Sequence, residues 1–182
     1  MKKRKAAFFG WILLSLILVC AGCGAHGDAE QKETRQFLAS FEARALDGSS
    51  FTQEDLAECD VTIFNFWSLT CGPCIREMPD LARYEKSLPD HVRLVTVCMD
   101  GAGDVEGTKR ILEEAGYEGV TLLEGDGDFE KVCGAIRYTP TTVLVDGDGN
   151  LLGKAIVGAQ KNLERVYSDA VGEALKAMGK GI

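Results

Sequence analysis

Apolar residues follow different rhythms in different parts of the chain. Between residues 6 and 27 there is no Asp, Glu, Lys or Arg, and the stretch from Trp11 to Val19 is almost wholly aliphatic. From Phe37 onward, short stretches that are continuously apolar or alternate with period two are interleaved with longer stretches of helical spacing.

The first rhythm in that second part is an alternation over residues 41–46, ending at Asp47-Gly48 and resuming over 49–52, which predicts a β-hairpin. Thr52, with Asp55 three residues on, predicts one capped helical turn. Residues 61–67 (VTIFNFW) are nearly all apolar and rich in β-formers, as a central strand covered on both faces requires. A helix is expected from about 73 to 86 and a second buried strand over 93–99. A further helix is expected over 105–116, with Asp104 as its cap and Gly116 as its stop. Residues 120–123 predict a short edge strand and 128–134 a short helix. Residues 141–145 and 151–157 predict two strands joined through Asp146-Gly147-Asp148-Gly149-Asn150. The last helix, about 161–178, is apolar at Leu163, Val166, Ala170, Val171, Ala174 and Leu175. Strands with helical crossovers, then a closing hairpin and helix, define an α/β class: a mixed central sheet flanked by helices, preceded by an N-terminal β-hairpin.

The 182-residue length suits one domain with an appendage. The formal charge of −8 argues against a nucleic-acid partner, which would need clustered Lys and Arg. Those residues cluster only at Lys2, Lys3, Arg4 and Lys5, directly before the apolar run. A basic start, an apolar stretch and small residues after it make a secretory signal; an uncleaved membrane anchor is the alternative. Both place the remainder outside the cytoplasm. Val19-Cys20-Ala21-Gly22-Cys23 resembles a bacterial lipoprotein cleavage box, with Cys20 where an aliphatic residue is usual. That resemblance implies cleavage before Cys23, lipidation of Cys23 and anchoring to the outer face of the cell membrane. Loss of the four basic residues would then take the charge from −8 to −12. The expected organisation is a signal over 1–22, a polar tether over 23–36 and one domain over 37–182.

The chemistry centres on Cys71-Gly72-Pro73-Cys74, where a buried strand should end and a helix begin. Pro73 suits a first helical turn, and a helix N-terminus stabilises a thiolate. The spacing lets both sulfurs meet across one turn. Cys71, the outer one, would form a mixed disulfide with substrate and Cys74 would resolve it. Zinc would want further ligands, yet there is no second CxxC, and His26 and His91 lie far off in sequence. A structural disulfide is a second alternative. Peroxidase chemistry is a third, but the proline its motif needs is Phe64 here.

Four features in order resemble the thioredoxin superfamily, and within it the exported TlpA/ResA-type oxidoreductases. They are Asn65-Phe66-Trp67 before the cysteines, Arg76-Glu77-Met78-Pro79 after them, Tyr138-Thr139-Pro140-Thr141-Thr142, and the 146–150 turn. The resemblance covers about residue 37 to the C-terminus and implies a thioredoxin fold with protein thiols and disulfides as substrates. It implies a membrane thiol as electron donor, and no cofactor beyond a Cys71–Cys74 disulfide. It implies that Pro140 is a cis-proline beside the cysteines, with the Thr139 backbone pairing to an extended substrate. Trp67, Thr70, Gly72 and Pro73 would share that substrate surface. Thioredoxin's buried Asp is Asn65 here, which cannot exchange protons; Glu77, one turn beyond Cys74, is the candidate acid–base group, or else a solvated surface Glu. Thr70 replaces the usual Trp before the first Cys.

Cys98 and Cys133 are expected as buried free thiols. A Cys59–Cys98 disulfide is conceivable in an oxidising compartment. Residues 146–150 resemble the start of a calcium loop, but Leu151 and Val157 stand where Gly and Glu are needed, so a hairpin turn is expected. The leading expectation is a membrane-anchored dithiol–disulfide reductase. The competing one is a lipid-anchored binding or chaperone module with an inert Cys pair.

Overall fold

The computed structural model describes residues 36–181. The expected signal over 1–22, Cys23 and the expected tether before Gln36 therefore lie outside the described residues. Among the described residues no helix is long and apolar enough to cross a membrane.

Seven strands form one mixed sheet: β1 (Phe41–Ala45), β2 (Ser50–Thr52), β3 (Val61–Trp67), β4 (Val92–Cys98), β5 (Val120–Gly127), β6 (Thr141–Asp146) and β7 (Leu151–Val157), in the order β2-β1-β5-β4-β3-β6-β7. Strands β3, β4 and β5 are mutually parallel, and β6 runs antiparallel to β3 and to β7. The helices are α1 (Gln53–Leu56), α2 (Gly72–Glu85), α3 (Val105–Ala115), α4 (Asp128–Ala135) and α5 (Leu163–Ala177).

Every residue of β3 is buried, as its unbroken apolar run predicts. Its two faces supply two cores. Val61, Ile63 and Trp67 pack with Met78 and Leu81 of α2, Leu112 of α3, and Tyr167 and Leu175 of α5. Phe64 and Phe66 pack on the other face with Leu56 of α1, Phe129 and Val132 of α4, and the hairpin residues Phe41 and Phe51. Each such fully buried side chain contributes about 1.5–3 kcal/mol of transfer free energy.

The local signals hold at the helix ends. Thr52 and Asp55 form a reciprocal capping box on α1, Asp104 caps α3, and Gly116 ends α3 at φ 70°. The carboxylate of Asp146 accepts from the backbone N–H of Asp148 and Asn150 and from the Asn150 amide, so the 146–150 segment is a hairpin turn held by its own Asp.

Two expectations are corrected. The segment from 120 is an eight-residue strand inside the sheet, not a short edge strand, because β1 pairs along it from Phe41↔Gly127 to Ala45↔Leu122. Its second half, Glu124–Gly127, is polar or Gly and gave no periodic signal; main-chain pairing alone recruits it. The Cys59–Cys98 disulfide is also absent: both are free thiols. The physical reason is direction. In the parallel pair, Val61 opposes Val92 and Trp67 opposes Cys98, so Cys59 lies at one end of the sheet and Cys98 at the other. At about 3.3 Å per residue the separation is on the order of 25 Å, far beyond the reach of a disulfide.

The hairpin lies so close to β5 that a Cβ on Gly125 would meet the Glu42 carbonyl oxygen at 2.4 Å and the Ala43 Cα at 2.8 Å. Gly125→Ala should therefore lower stability by about 1–3 kcal/mol, read as a lower urea midpoint. Gly103→Ala, where a Cβ meets nothing within 4 Å, should leave the midpoint nearly unchanged.

Candidate active site

The site forms where β3 ends. The chain leaves Trp67 and turns through Ser68–Thr70, where the Leu69 N–H donates to Asp100 Oδ1 at 2.9 Å. It then starts α2 at Cys71, the N-cap. Pro73 occupies the first turn, where no N–H is needed. Cys71 and Cys74 are joined as a disulfide. The Cys74 backbone N–H donates to Cys71 Sγ at 3.2 Å, so the sulfur sits where the helix offers unpaired N–H groups and the positive end of its dipole. Cys71 is half-buried, whereas Cys74 is 1% exposed. Only the first sulfur is open to a protein partner.

The antiparallel pairing of β3 with β6 brings the distant Thr139-Pro140 to this loop. The peptide bond between them is cis, and the Thr139 carbonyl oxygen lies 3.5 Å from Cys71 Sγ. Strand β7 braces this turn through the Gly158 N–H, which donates to the Pro140 carbonyl at 2.8 Å. Thr70 and Pro73 are exposed and Gly72 is half-buried around the disulfide. Trp67 is not on that surface. It is 0% exposed in the core beneath the loop, because it points to the helix-covered face like Ile63, so it cannot touch a docked substrate. Tyr138, 74% exposed next to the cis bond, and Ile75, exposed beside Cys74, are apolar groups that the sequence reading did not select.

Glu77 is not a solvated surface residue. It is 5% exposed on the face of α2 that carries Cys74 and Met78. One carboxylate oxygen accepts from the Gln160 backbone N–H at 3.3 Å, and the other lies 3.4 Å from Asn65 Nδ2. Burial pushes this carboxyl above its ordinary range. The Gln160 and Asn65 contacts pull it partly back, and the nearby charge of Asp80 adds to the rise. Asn65 also donates to Thr142 Oγ1 at 3.0 Å and to the Tyr167 hydroxyl at 3.2 Å. Thr142 and Tyr167 escaped the sequence reading. For Tyr167 a signal existed: it falls between Leu163 and Val171 at four-residue steps, on the buried stripe of α5. The thiol of Cys98, buried at the strand end beside Trp67, is pushed up to about 12 chiefly by burial, as an inert core thiol would be.

A sheet of this topology, with a disulfide at a helix N-terminus facing a cis-proline turn, defines the thioredoxin-fold class. The chain belongs to the redoxin family, whose model matches residues 32–179. It resembles the thiol-disulfide oxidoreductase ResA of Bacillus thuringiensis subsp. konkukian, with 27% identity over 162 residues, covering 84% of this chain and 88% of that one. It also resembles the thioredoxin-like protein YneN of Bacillus subtilis, with 25% identity over 142 residues and coverage of 76% and 82%. Among solved structures, a thioredoxin-family thiol:disulfide interchange protein from Chlorobium tepidum superposes with a TM-score of 0.60 at 22% identity, over 74% of this chain and 95% of that one. DsbF of MTB gives 0.59 at 24%, over 72% and 96%. The protein is thus a TlpA/ResA-type thiol–disulfide oxidoreductase with a thioredoxin fold.

A carboxyl whose folded-state pKa is raised binds its proton more tightly in the native than in the unfolded chain. Native stability therefore falls as pH rises from about the ordinary value of 4.5 toward the raised one. Glu77→Gln removes that cost. It should raise the urea midpoint at neutral pH, and the gain should shrink away as the pH is brought below 4.5.

Proposed function

We propose that the protein is an extracytoplasmic, membrane-anchored reductase of protein disulfides, working through Cys71 and Cys74. The observation that carries this reading is the unequal exposure of two cysteines joined at the start of α2. In the reduced protein, the Cys71 thiolate attacks one sulfur of a substrate disulfide. A Cys71–substrate bond forms, and the other substrate sulfur leaves as a thiolate. Cys74 gives its proton to the Glu77 carboxylate, and its thiolate attacks Cys71 Sγ, restoring the disulfide and releasing the second substrate sulfur as a thiolate. Two electrons pass from the dithiol to the substrate, and a membrane thiol donor returns them. The redox group is the cysteine pair itself.

Substrate is held as an extended segment against the Thr139 backbone, with Thr70, Gly72 and Pro73 shaping the contact, while the buried Pro140 holds that backbone in its cis turn. The disulfide lies at the Trp67 end of the sheet, while Gln36 to Leu38 join at the opposite end, where the N–H groups of Phe37 and Leu38 donate to Gly149 O. The basic cluster, the apolar run and Cys23 support lipid anchoring.

Cys74→Ser should accumulate a mixed disulfide with a disulfide-bearing protein through Cys71, seen as a thiol-sensitive adduct on gels, and Cys71→Ser should form none. Adducts in both variants, or in neither, would sink the assignment of roles. Equilibration of the pair with dithiothreitol or glutathione buffers should give a potential near or below about −270 mV; a value near about −120 mV would reverse the direction of electron flow. Cys23→Ser should move the protein from the membrane to the soluble fraction, and retention would favour an uncleaved apolar anchor.

A further inference from the structure

A buried polar layer crosses the sheet one step below the cysteines. Four strands contribute to it in register on the face that α2 and α5 cover: Thr121, Thr96, Asn65 and Thr142, where Thr121 opposes Thr96, Thr96 opposes Asn65 and Asn65 opposes Thr142. All four are 3% exposed or less. The Thr96 and Thr121 hydroxyls satisfy each other at 2.7 Å. Asn65 is then left with its partners on one side only. Its carbonyl oxygen is buried without a hydrogen-bond partner, while its amide nitrogen faces Thr142 Oγ1 at 3.0 Å, the Tyr167 hydroxyl at 3.2 Å and Glu77 Oε1 at 3.4 Å.

A primary amide has two N–H protons, so three acceptors cannot each hold one. The two hydroxyls are nearer, and they also bond to each other at 2.5 Å, which fixes both oxygens against Asn65. The Glu77 carboxylate is the farthest of the three and takes the weakest share. The geometry points to Tyr167 and Thr142 as positioning residues of the exchange reaction: their hydroxyls hold the two amide protons of Asn65 and thereby withhold a full hydrogen bond from the carboxylate of Glu77.

Around Glu77 stand Asp80 and Cys74 on its own helix, Tyr84 beyond Tyr167, and Lys161, which follows Gln160 and lines one cavity with Asp80 and Tyr84. The Gln160 N–H is the remaining donor to the carboxylate. Burial pushes the Tyr167 hydroxyl up to about 12, with its Thr142 bond opposing that rise, so it stays a neutral phenol across the working range and its competition is constant. The consequence is a carboxylate kept under-stabilised and hence a better proton acceptor. That consequence for rate rests on the reading of Glu77 as acceptor of the Cys74 proton; the competition for Asn65 does not.

The test reads Glu77 directly. Carbon-13 NMR of the glutamate carboxyls is recorded on the full-length oxidised protein as a function of pH, with Glu77 assigned by the signal lost in Glu77→Gln. Tyr167→Phe keeps the ring in the core and removes one oxygen. Freed from that competitor, an Asn65 N–H can serve the carboxylate, and the Glu77 midpoint should fall by roughly 0.5–1 pH. Thr142→Val should lower it in the same direction and serves as the second variant if Tyr167→Phe does not fold. A role in packing alone has the opposite sign, because deleting a hydroxyl leaves the carboxylate in less polar surroundings and raises its midpoint. A midpoint that rises or stays in place overturns the proposal. In the reduced protein, the resolving step of Tyr167→Phe should slow roughly two- to threefold at neutral pH, as Glu77 becomes a weaker base. If the midpoint falls while Glu77→Gln itself leaves exchange unchanged, the competition stands and the acid–base role of Glu77 fails.

Discussion

The constraint on which the rest depends is the full burial of β3 between two strands of opposite direction. Parallel β4 on one side and antiparallel β6 on the other fix its register along its whole length. That register decides what meets at its end. The parallel neighbour brings Cys98 and Asp100 beside the exit loop, where Asp100 holds the Leu69 N–H. The antiparallel neighbour starts at Thr141, so the cis turn before it falls next to Cys71. A slip of one residue in either pairing would turn Asn65 to the other face and part Glu77 from the amide that faces it.

The disulfide and the carboxyl below it are built by different means. Cys71 gains its electropositive setting from a helix start, a local feature that needs only a strand end, a short loop and a proline in the first turn. Glu77 gains its setting from three-dimensional enclosure: by Asn65 of β3, twelve residues before it, and by the Gln160 backbone of the β7–α5 connection, 83 residues beyond it. The two settings act in opposite senses: the first favours a charged sulfur, the second disfavours a charged carboxyl. In the proposed mechanism the first setting serves the attacking sulfur of Cys71 and the second serves a carboxyl that takes up the proton of Cys74.

The exposed apolar groups near the cysteines fit this division. Tyr138, Ile75 and Pro73 give an exposed apolar surround near the open sulfur. The N-terminal hairpin extends the sheet at the far edge from β6, where it covers β5 and fills the second core with Phe41 and Phe51 without approaching the cysteines. The tight approach of Gly125 to β1 shows how closely it is fitted.

The amino-acid sequence alone determined much of this: the strand at 61–67, the capped starts of α1 and α3, the Asp146 turn and the cysteine pair at a helix start. These are local signals, carried by periodicity and by side chains that bond to their own backbone, and they do not need a partner strand to be read. What only the tertiary structure decided was which distant residues share a layer. The polar end of β5 was recruited by main-chain pairing, which leaves no apolar rhythm. Cys59 and Cys98 were separated because parallel strands put a beginning and an end at opposite poles. Trp67 was turned inward by strand alternation, and Thr142 and Tyr167 were brought onto Asn65 from 77 and 102 residues away. Such contacts follow from register and packing, so the type and spacing of residues along the chain do not reveal them.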